Sequence, residues 1–241
     1  MPRDRLFSTG KPVKRDFVFD KSTARVFDDM ISRSVPFYHE IQRMVCEMSV
    51  ECAHSGTNLY DLGCATGNTL LQLDAVLEPT IRFVGVDNSA DMLAEAESKL
   101  SKVGLARQYE LRLADLQKDM TLENASVVIM LLTLQFVRPP RRSRLLQRIA
   151  HGLNDGGCLL MVEKVVAADP VINRLFIHNH LAMKKRNGYS RMEIAKKREA
   201  LENVLIPYRA SENREELLEA GFRSCDEFFR WYGFVGFIAL K

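Results

Sequence analysis

The sequence of 241 residues lacks the long apolar run that a membrane-spanning helix requires. Its longest aliphatic stretch, residues 127–132, is far shorter than the roughly 20 apolar residues needed to cross a bilayer. The N-terminus also lacks the apolar core and small-residue cleavage site of a signal peptide. We therefore expect no membrane association and a cytoplasmic location.

Cysteine and histidine are sparse, with five of each. The cysteines are odd in number and show no C-x-x-C spacing, which argues against a disulfide framework and a zinc ribbon. His178 and His180 are two residues apart, so on a helix they would point away from each other. We expect no metal site.

An excess of charge is also missing, because 34 basic and 31 acidic residues give a net charge of only +3. The basic run at 138–144 contains two prolines that fit the start of a helix, and its side chains are expected to face solvent. No aromatic residues alternate with these charges to stack on bases. We expect no direct contact with nucleic acid.

The sequence does contain a regular alternation of predicted helices and strands. Apolar residues at helical spacing predict N-terminal helices over residues 23–52, interrupted at Pro36. Strands are then predicted at 58–63, 81–87, 109–113, 127–132 and 158–162, with helices at 68–77, 89–103 and 141–153 and a turn at 154–157. This alternation predicts an α/β fold with a doubly wound, mostly parallel sheet.

The alternation stops after Lys164. Residues 165–218 are expected to form a wholly helical insertion, and residues 224–241 to form two strands that complete a seven-stranded sheet as an antiparallel edge pair. Residues 1–55 are expected to form an N-terminal helical cap. The simplest organisation is a single domain over 1–241.

A glycine-bearing turn follows the first predicted strand, where ligands bind in doubly wound sheets. Asp61, Gly63, Ala65 and Gly67 give the spacing D-x-G-x-[small]-x-G, and Asp87 ends the next strand 24 residues after Gly63. This pattern resembles the first motif of class I S-adenosylmethionine (SAM) dependent methyltransferases, with a Rossmann-like fold. A glycine turn in an α/β protein without a nucleotide is the alternative interpretation.

A series of short blocks, spread over almost the whole chain, narrows the resemblance. They are Leu6-Phe7-Ser8, Phe17-Val18-Phe19-Asp20, Arg33-Ser34-Val35-Pro36, Asp87-Asn88-Ser89, Glu123-Asn124-Ala125-Ser126, Thr133-Leu134-Gln135-Phe136, Val162-Glu163-Lys164, Asn187-Gly188-Tyr189-Ser190 and Lys197-Arg198 followed by Leu201-Glu202-Asn203-Val204. Together they resemble the carboxy-S-adenosyl-L-methionine synthase family. That family acts in the modification of the wobble uridine of bacterial tRNA.

The resemblance implies a homodimeric enzyme that converts SAM and prephenate into carboxy-SAM, phenylpyruvate and water. It assigns Arg198 as the catalytic residue, whose guanidinium would hold the new carboxylate. It implies that SAM or carboxy-SAM is bound by Tyr38, Gly63, Cys64, Ala65, Asp87, Asn88, Asp115, Leu116, Leu131 and Arg198. Among these, Asp87 would bind the ribose and Asp115 the adenine amine.

The chain departs from the family at two places. Leu131 stands where the family carries Asn, and the loop reads Cys64-Ala65-Thr66-Gly67-Asn68, where the family more often has Ser after Cys and Ala after Gly. Losing one hydrogen bond costs on the order of 1 kcal/mol, so SAM binding should survive. Two other functions stay open: a methyltransferase for a small molecule, and a SAM-binding protein without catalysis.

Overall fold

The computed structural model describes residues 2–9, 16–105, 107–118 and 120–241, which form strands and helices in alternation. The strands are β1 (Asn58–Leu62), β2 (Arg82–Asp87), β3 (Tyr109–Leu113), β4 (Ala125–Leu131), β5 (Leu153–Val166), β6 (Tyr208–Arg209), β7 (Ser224–Trp231) and β8 (Phe234–Leu240). The helices are α1 (Lys21–Ala24), α2 (Phe27–Ser34), α3 (Tyr38–Cys52), α4 (Asn68–Asp74), α5 (Ala90–Val103), α6 (Pro139–Gly152), α7 (Pro170–Arg186), α8 (Arg191–Leu201) and α9 (Ala210–Glu219). No helix in these ranges is long and apolar enough to cross a membrane.

The main sheet has seven strands in the order β3-β2-β1-β4-β5-β8-β7. The five strands from β3 to β5 are parallel, and β8 pairs antiparallel with both β5 and β7. This confirms the predicted doubly wound, mostly parallel sheet with its antiparallel edge pair. The strand order reverses between β1 and β4, which places the switch point at the carboxyl end of β1.

Helices cover both faces of the sheet, so its central strands are buried on both sides. In β4 every residue from Ala125 to Met130 is buried, and alternate side chains belong to two different apolar clusters. Burial on both faces explains why this strand is almost continuously aliphatic instead of alternating between apolar and polar residues.

Residues 16–20 cross the carboxyl end of the sheet. The Phe17 amide donates a hydrogen bond of 2.8 Å to the Ala200 carbonyl on α8, and the Ser89 hydroxyl donates one of 2.5 Å to the Phe19 carbonyl. The predicted break at Pro36 is observed, since α2 ends at Ser34 and α3 begins at Tyr38. The segment is thus fixed both to α8 and to the N-cap of α5.

Three predicted features are wrong in detail. The turn expected at 154–157 is an irregularity inside β5, where the pairing with β4 passes from Leu153 to Cys158. The insertion expected to be wholly helical contains β6, which pairs with the end of β5 and adds an eighth strand. The basic run at 138–144 is not entirely exposed, because the Arg142 guanidinium is buried and donates to the carbonyls of Val137 and Ile206.

Candidate active site

The glycine loop after β1 is held against the end of β2. The amides of Gly63 and Cys64 both donate to the Val86 carbonyl, at 2.7 and 3.0 Å. Gly63 has φ +84°, and a Cβ atom there would lie 2.7 Å from Cγ2 of Thr133. Only glycine combines this backbone conformation with such a close approach.

Asp87, at the end of β2, connects this loop to the next one. Its Oδ2 accepts a hydrogen bond from the Ala65 amide at 3.0 Å, and its Oδ1 accepts one from the Ser89 amide at 2.9 Å. Burial raises the pKa of Asp87, while the backbone donors oppose that rise. Each carboxylate oxygen keeps a further acceptor position, which suits a ligand carrying two hydroxyls.

Asp61 lies beneath the loop and is fully buried. Its Oδ2 has no hydrogen-bond partner among the described residues. Burial, reinforced by the nearby charge of Asp87, raises the pKa of Asp61 to about 7. A buried carboxylate oxygen without a partner is costly, so burial favours the protonated form of Asp61.

Asp28 on α2 secures the other side of the glycine loop, which the sequence patterns did not indicate. Its Oδ1 accepts hydrogen bonds from the Thr66 hydroxyl at 2.6 Å and the Asn68 side-chain amide at 2.9 Å. Its Oδ2 forms an ion pair with Lys99 on α5 at 2.5 Å. The N-terminal helices therefore help to shape the loop.

Seven of the residues expected to bind SAM line one cavity at this edge of the sheet. They are Gly63, Ala65, Asp87, Asn88, Asp115, Leu116 and Leu131. The rings of Phe17, Phe19 and Phe27 line the cavity from the N-terminal segment, and Phe19 packs edge-on against Phe136 with ring centroids 5.3 Å apart. We call the region around Asp87 and Asp115 the acidic end of this cavity.

Three expected residues do not line this cavity. The Cys64 side chain is buried and lies next to Gly85 on β2. The Tyr38 hydroxyl accepts a hydrogen bond from Gln42 at 3.0 Å, and burial raises the pKa of Tyr38 to about 12. Arg198 is exposed on α8 and lines a second, adjoining cavity.

Glu163, at the carboxyl end of β5, shapes the wall next to Leu131. Its two carboxyl oxygens accept hydrogen bonds from the amides of Thr133, Leu134 and Gln135 at 2.8 to 3.0 Å. Burial raises the pKa of Glu163 to about 8 against the opposing effect of these donors. The Glu163 carboxylate therefore joins the Val-Glu-Lys block to the Thr-Leu-Gln-Phe block through hydrogen bonds.

Lysines gather at the opposite end of the same cavity, which we call the basic end. Lys164 on β5, Lys184 on α7 and Lys197 on α8 all line it, together with His180. Lys184 and Lys197 are only 8% and 7% exposed, and burial lowers their pKa values to about 7 and about 8. The sequence blocks that carry the family resemblance contain Lys164 and Lys197, but no binding role was predicted for any of the three lysines.

The described residues contain no group of three or more His, Cys, Asp or Glu side chains that could hold a metal ion. The side chains that line the cavity place carboxylates at one end and ammonium groups at the other.

Comparison with known proteins first identifies the class. A family model described as a methyltransferase domain matches residues 59–157. An O-methyltransferase family protein from Burkholderia thailandensis superposes with a TM-score of 0.68 at 18% identity, over 92% of this chain and 60% of that chain. A SAM-dependent methyltransferase from Aquifex aeolicus gives 0.62 at 16% identity, over 92% and 99%. The fold is that of the class I SAM-dependent methyltransferases.

More similar relatives then identify the family. The carboxy-S-adenosyl-L-methionine synthase of Methylococcus capsulatus is 50% identical over 100% of both chains. The synthase of Campylobacter concisus is 41% identical, over 99% of this chain and 100% of that chain. The chain therefore belongs to the carboxy-S-adenosyl-L-methionine synthase family and is an enzyme, as the sequence resemblance implied.

Proposed function

We propose that this protein converts SAM and prephenate into carboxy-SAM, phenylpyruvate and water. The observation that carries the proposal is a single cavity with opposite charge at its two ends. The acidic end suits the cationic cofactor, and the basic end suits a dianionic second substrate. The family membership supports the same reaction, since the relatives are named for its product.

The residues at the acidic end fit SAM. Gly63 leaves space where any side chain would clash with Thr133, and the oxygens of Asp87 remain able to accept hydrogen bonds from ribose hydroxyls. The unpartnered oxygen of Asp61 lies beneath the loop that would receive the methionine end. When bound, SAM supplies a methyl carbon activated by its sulfonium group.

The stoichiometry of the proposed reaction explains the need for cations. Prephenate loses one carboxylate as carbon dioxide and its hydroxyl as part of water, while one methyl proton supplies the rest of that water. The carbon dioxide forms a new carbon–carbon bond to the methyl carbon, so a carboxylate is created where SAM carried its methyl group. A cation next to it lowers the free energy of that product.

The direct test is to incubate the purified enzyme with SAM and prephenate labelled isotopically in its ring carboxylate. We expect a nucleoside product heavier than SAM by one labelled carbon dioxide minus the proton lost, together with phenylpyruvate. Formation of S-adenosylhomocysteine with a small methyl acceptor, and no labelled product, would instead support the ordinary methyltransferase.

Arg198 is the residue whose substitution should affect the binding of carboxy-SAM and SAM differently. We propose that it binds the carboxylate of carboxy-SAM from the adjoining cavity, so Arg198→Ala should weaken carboxy-SAM several-fold and SAM much less. Arg198→Lys should restore only part of the affinity because lysine lacks the planar guanidinium. Arg191→Ala, on the same helix and also exposed, is the matched control. Calorimetric titration of both ligands would measure this, and equal effects on both would contradict the role of Arg198.

We further propose that the chain acts as one SAM-binding domain, with residues 1–55 and 165–218 covering the cavity. Lining residues such as Phe19 and Lys184 come from these two segments, which supports this organisation. The family resemblance extends the proposal to a cytoplasmic homodimer that supplies carboxy-SAM for wobble uridine modification. Sedimentation of the purified protein at several concentrations would test the dimer.

A further inference from the structure

We propose that Lys164 and Lys184 form an anion-binding subsite that holds a carboxylate of the dicarboxylate substrate where the two cavities adjoin. This inference rests on the proposed function, because it assigns the binding site of its second substrate. It adds two residues, separate from Arg198, that would contact prephenate and not the adenosyl part of SAM.

Lys184 is a largely buried lysine that lines both cavities. No hydrogen bond or ion pair joins its ammonium group to any described residue, although only 8% of the residue is exposed. Lys164, on the facing strand β5, likewise has no side-chain partner there. An uncompensated ammonium group on a largely buried side chain is expensive, so the placement of Lys184 and the half-buried Lys164 beside a cavity favours an anion there.

The neighbouring contacts fix where this subsite lies. The Lys197 ammonium donates to the Ser34 hydroxyl at 3.1 Å, and His180 Nε2 lies 2.9 Å from the Ser34 carbonyl. The His180 ring packs edge-on against Phe234, which pairs with Lys164 between β8 and β5. The lysines from β5, α7 and α8 therefore converge on one region around Ser34.

The charges facing Lys184 are strongly unbalanced. Burial lowers the pKa of Lys184 most, the charges of Lys197, Lys164 and Arg198 lower it further, and the charge of Asp4 raises it. Asp4 is itself occupied, because its Oδ2 accepts a hydrogen bond of 2.6 Å from the Tyr189 hydroxyl and lies 3.9 Å from Lys197. An incoming carboxylate would supply the missing negative charge.

The two cavities also offer prephenate a binding place that differs from the SAM site. Lys164 and Lys184 line both cavities, whereas Asp87 and Asp115 line only the first and Arg198 only the second. The second cavity has a volume of about 430 Å³, within the roughly 300 to 1,000 Å³ typical of small-molecule sites. A dicarboxylate held at the junction would present one end toward the SAM site and the other toward Arg198.

The test compares Lys184→Met with Lys185→Met, its exposed neighbour on α7. With S-adenosylhomocysteine bound, we expect Lys184→Met to bind prephenate about tenfold to a hundredfold more weakly, as for the loss of a charge-assisted hydrogen bond. The affinity for SAM should change less than twofold, and Lys185→Met should match the wild type for both ligands. Lys164→Met should behave like Lys184→Met.

Folding gives an independent readout. Because the Lys184 side chain is largely buried and its ammonium group has no partner among the described residues, Lys184→Met should be at least as resistant to urea as the wild type. Unchanged prephenate affinity, or an equal loss of SAM and prephenate binding, would overturn the subsite. If the wild type binds prephenate through these lysines but forms no carboxy-SAM, the subsite stands and the proposed reaction fails. If carboxylation proceeds with an unchanged KM for prephenate in Lys184→Met, the subsite fails and the reaction stands.

Discussion

The acidic and basic ends of the cavity are stabilised in different ways. At the acidic end the protein supplies the partners: Asp87 accepts two backbone hydrogen bonds, and Asp115 accepts one from the Gln117 amide at 3.0 Å. At the basic end Lys164 and Lys184 have no partner among the described side chains. The acidic end is thus largely complete before a ligand arrives, whereas the basic end depends on a ligand for its counter-charge.

The origin of the two ends in the chain also differs. The acidic end comes from the loops that follow three neighbouring strands, β1, β2 and β3, and its carboxylates accept hydrogen bonds from backbone amides of those loops. The basic end combines β5, α7 and α8 with Ser34 of α2, whose residues are far apart along the chain. Changes at the acidic end should therefore disturb folding and SAM binding together, and changes at the basic end should mainly affect ligand binding.

The largest expected effect is that of Gly63→Ala. The new Cβ would overlap the Thr133 side chain and occupy a left-handed conformation, so we expect loss of measurable SAM binding and lower stability. Gly56→Ala is the control, since Gly56 has φ +74° with no atom within 4 Å of the added Cβ. It should cost about 1 kcal/mol from the backbone conformation alone. Urea unfolding and calorimetry would measure both, and similar results for the two variants would contradict the steric explanation.

A smaller but clear effect is expected for Asp87→Ala. Losing charge-assisted hydrogen bonds should weaken SAM by about ten- to a hundredfold, which corresponds to roughly 1.5 to 3 kcal/mol. The affinity for prephenate, which we propose binds beside the lysines, should change much less. That difference would show that the two ends of the cavity bind different ligands. Unchanged SAM affinity in calorimetry would remove Asp87 from the ribose site.

The pH dependence of stability should have opposite signs for Asp61, beneath the glycine loop, and for Lys184, at the basic end. The pKa of Asp61 rises from 3.8 to about 7 on folding, so the folded protein keeps a proton that the unfolded chain releases, and stability falls between pH 3.8 and 7. The pKa of Lys184 falls from 10.5 to about 7, so stability rises between pH 7 and 10.5.

Two variants separate these contributions in the ligand-free protein. Asp61→Asn should flatten the fall below pH 7, although Asp87, Cys64 and Tyr38 lie close enough to interact with Asp61. Lys184→Met should flatten the rise above pH 7. Urea unfolding at a series of pH values would measure the slopes, and slopes identical to those of the wild type would show that neither group titrates on unfolding.

The smallest expected effect is that of Leu131→Asn. Leu131 lines the cavity at the end of β4, so an amide there should add one hydrogen bond to SAM and tighten binding about fivefold, or about 1 kcal/mol. The reaction type should not change. Leu131→Ala controls for the lost apolar contact. If Leu131→Asn created carboxylation in a wild-type protein that lacks it, the proposed function of the natural sequence would be wrong.

Most of the acidic end was predictable from the sequence because of a simple geometric rule. The carboxyl ends of parallel strands meet at one edge of a sheet, so Gly63, Asp87 and Asp115 had to lie together once the strands were assigned. The family resemblance added Asn88 and Leu116, which line the same cavity. Arg198 and Tyr38 came from that resemblance alone, and their proposed contacts with the ligand stay predictions.

Only the tertiary structure decided which basic residues face the cavity. The runs Lys184-Lys185-Arg186 and Lys196-Lys197-Arg198 are uniformly charged, so they give no periodic signal for the buried face of a helix. The rotation of α7 and α8 against β5 and Ser34 buries Lys184 and Lys197 and leaves Lys185 and Arg198 exposed. That rotation depends on packing between distant segments, whereas the glycine loop and strand ends depend on residues close together in the chain.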